Sequence, residues 1–180
     1  MKKHEFEGPI IQFKQLVEED LELLYSWFKE PTINKMYARG LPWTLDDIKQ
    51  KYLPRILGYE KFPSFIIMKD NHPIGFIQYY CLADFLAEGI MNNENPLFDK
   101  HNPKEVAGID LFIAEGVNRG NGLGVTIISQ FIGEYLTCFQ VVVDPEINNA
   151  TAIRCYEKCG FIKTTISQNP KYYVMIKKLS

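Results

Sequence analysis

Three observations predict an α/β fold with a central, mostly antiparallel sheet. Strand and helix signals follow one another as β-α-α-β-β-β-α-β-α-β-β along the sequence. A glycine-rich turn over residues 117–124 lies between an apolar strand and an apolar-periodic helix. A chain of 180 residues, 46% of them hydrophobic, can bury a sizeable core without disulfides or a structural metal. Without an internal repeat or a Pro/Gly/Ser-rich linker to divide it, one domain over residues 1–180 is expected.

Residues Pro9 to Leu16 alternate Ile11 and Phe13 with Ile10 and Gln12, which suits a first strand. Leu21, Leu24, Tyr25 and Phe28 then recur at helical spacing, and Glu18, Glu19 and Asp20 put negative charge where the helix dipole favours it. Pro31 is expected to end that helix. Thr44-Leu45-Asp46-Asp47 resembles a capping box and opens a second helix running to about Leu57, which Pro54 is expected to kink or shorten. Phe62 to Lys69 and Pro73 to Leu82 form an antiparallel hairpin about Asp70-Asn71.

Asp84 to Lys104 loses periodicity and collects Asn, Pro, Gly and acidic residues, so it is expected to be a long loop on a site. The remaining elements are a strand from Val106 to Ala114, a helix from Gly122 to Leu136 and a strand from Phe139 to Val143. A helix from Asn149 to Cys159 and a closing antiparallel pair, Phe161 to Ile166 with Tyr172 to Lys178, complete the chain.

Several function classes are disfavoured. A formal net charge of -2 without clustered Lys and Arg argues against a nucleic-acid footprint. The N-terminus lacks the apolar stretch of a signal peptide, and no apolar run approaches the ~20 residues that cross a bilayer, so a cytoplasmic protein is expected. Cys155 and Cys159 form a C-x3-C pair, but no second close pair or His partner accompanies them or Cys81 and Cys138. Free thiols and no metal are therefore expected. His72 and His101 read as surface residues in turns, and Trp27 and Trp43 as core or rim aromatics.

The strongest local signal is Val117-Asn118-Arg119-Gly120-Asn121-Gly122-Leu123-Gly124. Its glycines allow a tight turn and close approach to a ligand, and the N–H groups at the start of the following helix form an anion site suited to diphosphate. The alternative is a helix start that simply needs small residues. A Rossmann fingerprint would follow the first strand of a βαβ unit, whereas three strands precede this turn. A P-loop would require Lys before Ser or Thr, and Gly124-Val125-Thr126 has none.

These residues carry a family resemblance. Arg119-Gly120-Asn121-Gly122-Leu123-Gly124 is similar to the R/Q-x-x-G-x-G/A motif of GNAT acetyltransferases. Asn148-Asn149-Ala150-Thr151-Ala152-Ile153-Arg154-Cys155-Tyr156-Glu157-Lys158-Cys159-Gly160-Phe161 resembles the later family segment N-x-x-A-x-x-x-Y-x-K-x-G-F. The resemblance implies the GNAT fold: a central, mixed, mostly antiparallel sheet, splayed at an acetyl-CoA cleft and flanked by helices. It is closer still to aminoglycoside 6'-N-acetyltransferases, through Tyr52-Leu53-Pro54, Pro73-Ile74-Gly75, Gly108-Ile109-Asp110, Asp144-Pro145 and Ala152-Ile153-Arg154-Cys155-Tyr156-Glu157-Lys158.

Acetyl-CoA is thus implied as cosubstrate and a polycationic aminoglycoside as acceptor, with direct transfer in a ternary complex by a monomer or homodimer. Backbone groups of Leu111, Phe112 and Ile113 would hold the pantetheine arm, and Arg119 to Val125, including Leu123, the diphosphate, with Asn149 and Tyr156 also against the coenzyme. Asn149 can cap its helix, and Tyr156 lies about two turns on, where its hydroxyl could protonate the leaving thiolate. The alternative for Tyr156 is an aromatic that packs its helix.

Asp110 is the first choice for general base, or for electrostatic orientation of the cationic acceptor; the alternative is a structurally paired strand aspartate. Asp144 is assigned to substrate recognition, with a turn or N-cap role as its competitor. Tyr37, Glu60 and Gln78 fall at or near substrate-contacting positions by resemblance, and Glu88, Glu94 and Asp99 keep the Asp84–Lys104 segment acidic. Two further functions stay open: acyl transfer to another amine, such as a siderophore hydroxylysine or a polyamine, and a non-catalytic acyl-CoA-binding sensor module.

Overall fold

Seven strands form one sheet in the order β1-β2-β3-β4-β5-β7-β6. The computed structural model describes residues 9–87, 96–114, 116–119, 121–137, 139–164 and 169–178. Gly120, Glu88, Glu94, Cys138 and the end of the expected strand at residues 165–166 lie outside the described residues. The strands are β1 (Ile11–Gln15), β2 (Ser64–Lys69), β3 (His72–Cys81), β4 (Val106–Ile113), β5 (Gln140–Val143), β6 (Ile162–Lys163) and β7 (Met175–Lys177). Helices α1 (Leu21–Phe28), α2 (Pro31–Met36) and α3 (Leu45–Ile56) connect β1 to β2. Helices α4 (Leu82–Ala87), α5 (Leu123–Tyr135) and α6 (Ala150–Lys158) follow β3, β4 and β5.

Strand alternation divides the core into two sides. One face turns Phe65, Ile67, Ile77, Ala107, Ile109 and Val141 toward the buried side of α5, where Ile127, Ile128 and Phe131 are fully enclosed. The other presents Ile66, Phe76 and Phe112 to Leu24 and Phe28 of α1 and to Ile48 and Tyr52 of α3. Edge-to-face contacts join that second layer, with the Phe28 ring 5.3 Å from Trp43 and 6.1 Å from Phe112. None of the helices among the described residues is long and apolar enough to cross a membrane.

Every strand pairing is antiparallel except β4 with β5, which run parallel for only three residue pairs, Val106–Gly108 against Gln140–Val142. Beyond Gly108, β4 continues to Ile113 with β3 on one side while β5 departs on the other. The expected splay in the sheet is therefore present, and it is centred on β4.

Three expectations need correction. Pro31 begins α2 instead of merely ending α1, because proline suits the first helical position and Glu30 caps the turn by accepting from the Ile33 N–H at 2.8 Å. Pro54 does not cut α3 short: the helix runs through it to Ile56, and the Pro54 carbonyl accepts from the amides of Tyr59 and Glu60. The Asp84–Lys104 segment is not wholly loop, since α4 covers its start and 3-10 turns occupy Pro96–Asp99 and Pro103–Glu105. Burial of Leu82 and Leu97 against Val106 and Ile176 pins this region to the sheet.

Gly75 marks the tightest approach between β3 and β4. A Cβ there would lie 2.3 Å from the backbone oxygen of Phe112, which cannot swing aside as a side-chain tip would. Gly75→Ala is expected to destabilise the fold by about 1–3 kcal/mol, read as a lower urea midpoint. An unchanged midpoint would show that the two strands tolerate greater separation.

Candidate active site

The parting of β4 from β5 exposes a backbone edge. In an antiparallel pair, alternate residues direct both N–H and C=O to the same neighbour. The Ala114 N–H bonds the Ile74 carbonyl at 2.8 Å, so Phe112 and Asp110 also face β3 while Leu111 and Ile113 face the opening. Of the three residues expected to hold a pantetheine arm, Leu111 and Ile113 turn their backbone toward this opening. Phe112 spends its backbone on β3 and its ring on Tyr37, 4.7 Å away between centroids.

Past the end of β4, the chain turns into α5 through Gly122, whose φ of +78° is the left-handed region that glycine adopts without strain. Gly122 caps α5 without a side-chain bond, and its carbonyl accepts from the amides of Val125 and Thr126. The helix itself offers no partner to the N–H groups of Leu123 and Gly124, the first two of the helix. Gly124 also lets α6 close in, since a Cβ there would lie 3.0 Å from Cys155 Sγ.

The Arg119 side chain is engaged with the end of β4. Its guanidinium bonds the carbonyls of Ile113 (2.8 Å) and Ala114 (2.6 Å) and approaches Glu30 at 3.5 Å, while its own N–H bonds Gly116. It therefore braces the turn onto the end of β4. Asn149 caps α6, accepting from the Ala152 N–H at 3.1 Å. Lys69 bonds Asn118 at 3.1 Å beside a cavity of about 210 Å³ that Asn121 and Thr126 also line.

Two carboxylates flank the point where the strands part. Asp110 lies two residues beyond Gly108, and Asp144 two beyond Val142, the last β5 residue paired with β4. Burial raises the Asp110 carboxyl above its ordinary value, opposed by the Gln78 hydrogen bond and by Lys51, Arg55 and Arg39. Asp144 keeps an exposed surface although much of its carboxyl is surrounded by protein. That partial desolvation, followed by the negative charge of Asp110, pushes its carboxyl up to about 6.

Buried phenols from both faces of the sheet feel these charges. Burial raises the Tyr156 phenol well above its ordinary range, and the charges of Asp110 and Asp144 raise it further. Its ring packs edge-on to Phe161 at 5.4 Å, so the aromatic packing role is also fulfilled. Tyr37 is similarly raised, first by burial and then by Tyr52 and Asp110. The Tyr52 hydroxyl faces that of Tyr37 and has no other hydrogen-bond partner among the described residues.

Sequence reasoning missed three contributors. Tyr80 lies flat on Gly108, where a Cβ would come within 2.3 Å of its Cζ, and its hydroxyl senses Asp110, Asp144 and Tyr156. Register alone reveals this contact, through the Tyr80–Gly108 pair. Arg55 donates to Gln78 at 2.7 Å and to Glu60 at 3.1 Å, so two residues expected to meet substrate are joined by a cation of the chain itself. Lys51 lies over the rings of Trp43 (4.9 Å) and Tyr52 (5.3 Å), its ammonium lowered to about 8 by burial and by Arg55. No group of three or more metal-ligating side chains occurs among the described residues.

The acetyltransferase (GNAT) domain profile matches residues 16–168. Aminoglycoside N(6')-acetyltransferases type 1 of Klebsiella pneumoniae and of Serratia marcescens are each 28% identical over 173 residues, covering 92% of this chain and 82% of theirs. The crystal structure of aminoglycoside acetyltransferase AAC(6')-Ib with coenzyme A and kanamycin superimposes with a TM-score of 0.75 at 28% identity, covering 93% of this chain and 94% of that one.

Proposed function

Because the chain belongs to the GNAT acetyltransferase family, we propose that it transfers the acetyl group of acetyl-CoA to a primary amine, the 6'-amine of an aminoglycoside. The observation that carries this reading is the pair of carboxylates, Asp110 and Asp144, flanking the point where β4 and β5 part, with the buried Tyr156 phenol close enough to feel both charges. The relatives named for aminoglycoside N(6')-acetylation, and the neighbour holding coenzyme A and kanamycin, support the choice of donor and acceptor.

Acetyl-CoA supplies an acyl thioester, and two features of the chain suit it. The orphan amides of Leu123 and Gly124 at the start of the 13-residue helix α5 favour a diphosphate. The backbone of Leu111 and the N–H of Ile113, whose carbonyl is taken by Arg119, can pair with an amide-bearing arm and donate to a carbonyl where negative charge develops. An alkylammonium, with a reference pKa of about 10.4, must lose a proton before its nitrogen can attack. Asp110, whose carboxyl burial raises, would accept that proton directly or through water.

Asp144 sets a pH dependence. Its carboxylate attracts a cationic acceptor only when ionised, so acceptor KM is expected to fall as pH rises through about 6. Asp144→Asn should flatten that dependence; a variant with the parental slope would free Asp144 of the role. The effect on stability has the opposite sign. A carboxyl raised from 3.8 contributes stability fully below that value and loses it as pH rises through about 6.

The deciding experiment measures thiol release from acetyl-CoA with aminoglycosides that possess or lack a 6'-amine. Release confined to the first group is expected, and release without preference would remove the regiochemical assignment. Lys51 and Arg55 beside Asp110 favour a second reading, an acceptor that pairs its amine with a carboxylate, as hydroxylysine does. Faster acetylation of lysine-like amines than of kanamycin would select it.

A further inference from the structure

We propose that Arg55 is a positioning residue: its guanidinium fixes the Gln78 amide in the one orientation that donates to Asp110, leaving the second carboxylate oxygen for the acceptor. This rests on the acetyl transfer proposed above.

A glutamine amide has an oxygen that accepts and a nitrogen that donates, and its plane can turn over to exchange them. Arg55 removes that freedom, because a guanidinium has five donors and no acceptor. Its Nη1 lies 2.7 Å from Gln78 Oε1, so the amide oxygen must face α3. The amide nitrogen then faces β4 and donates to Asp110 Oδ2 at 2.9 Å. A carboxylate can only accept, which makes this arrangement the matching one for ionised Asp110. Ser64 adds no competing donor of similar quality: its Oγ donates to the Phe62 carbonyl at 2.8 Å and lies 3.5 Å from Gln78 Oε1.

Arg55 is itself held in place. Glu60 accepts from its Nε at 3.1 Å, and its guanidinium carbon lies 4.2 Å from the centre of the Phe62 ring. The Arg55 side chain is 11% exposed and Gln78 4%, so water has little room to replace either partner. Low solvent access strengthens the hydrogen bonds and makes an unpaired amide costly.

The surroundings of Asp110 show why this orientation matters. Lys51 and Arg55 face it from α3, Arg39 from the segment after α2, and Asp144 from the end of β5. The phenols of Tyr37, Tyr52, Tyr80 and Tyr156 also sense its charge and stay neutral. Among these influences the Gln78 bond is the foremost one opposing burial, and the amide can supply it only with its nitrogen forward.

Arg55→Met keeps an apolar stem against Phe62 while removing the fork and the charge. It is expected to move the acidic limb of the acceptor kcat/KM profile upward by about one pH unit. At neutral pH it should lower kcat/KM about tenfold, leaving the KM for acetyl-CoA unchanged. Gln78→Met should reproduce the shift, and the double variant should lose less than the product of the single losses, because both act through one bond. A limb that coincides with the parent's, or losses that multiply, overturns the proposal.

Should Arg55→Met not fold, Arg55→Gln carries the test. A neutral amide can accept as well as donate and so lets Gln78 turn over, so an upward shift is expected, and none overturns the proposal. If the parent protein transfers no acetyl group, the functional reading fails independently. The Asp110 carboxyl is then titrated by carbon NMR in parent and variant, where an unshifted midpoint overturns the role of Arg55.

Discussion

Asp110→Asn is expected to lower kcat/KM for the acceptor amine by about 10²- to 10⁴-fold, with acetyl-CoA affinity preserved. The substitution keeps the shape of the side chain and removes its charge. An asparagine oxygen could still accept from the Gln78 amide that donates to Asp110 at 2.9 Å, so the strand pairing should survive. What disappears is the only group on β4 able both to neutralise an acceptor ammonium and to take its proton. Lys51, Arg55 and Arg39 would then lose one counter-charge, with Glu60 still paired to Arg55, and the site would attract the cationic acceptor less. Steady-state kinetics across pH separate the two contributions. A base that has been removed takes the acidic limb of kcat with it, whereas a lost counter-charge raises KM and leaves the limb. Parental kcat at all pH values would reduce Asp110 to a binding residue.

Much of this site is legible in the sequence because its supporting elements carry strong local signals. Val106 to Ala114 is an apolar run too long for a turn, and the glycines after it allow one conformation that other residues resist, as the φ of Gly122 shows. Asn149 precedes an amphipathic segment and caps it as expected. The Thr44–Asp47 capping box is equally local, with Asp47 Oδ2 accepting from the Thr44 N–H at 2.8 Å. Side chains that meet across the fold leave no such trace. Arg55 and Gln78 lie 23 positions apart and join only because α3 crosses the face of β3 on which Gln78 lies. Tyr80 reaches Gly108 through strand register, which the residue pattern does not specify at a single position. The six-residue helix α4 is too short to build a periodic signal against the acidic and asparagine-rich segment after it.

Tyr156→Phe is expected to lower kcat by about 10²- to 10³-fold without moving either limb of the pH profile. Burial, then the charges of Asp110 and Asp144, hold the phenol well above its usual range, so it is neutral at every pH where the protein operates. A phenol made less acidic than normal does not readily surrender its proton to a thiolate, whose conjugate acid has a pKa of about 8.5 in cysteine. It is nevertheless an undiminished hydrogen-bond donor in a site with little competing water. Its contribution in the proposed reaction is therefore a hydrogen bond that strengthens as the sulfur gains charge, with proton transfer completed by solvent after departure. The same burial that weakens Tyr156 as an acid keeps it from ionising beside two carboxylates, where a phenolate would repel the departing thiolate. An acetyl donor with a more acidic thiol needs less of this help, so the Tyr156→Phe deficit should shrink as the leaving thiol becomes more acidic. A deficit that stays constant across such donors would assign Tyr156 to packing against Phe161 instead.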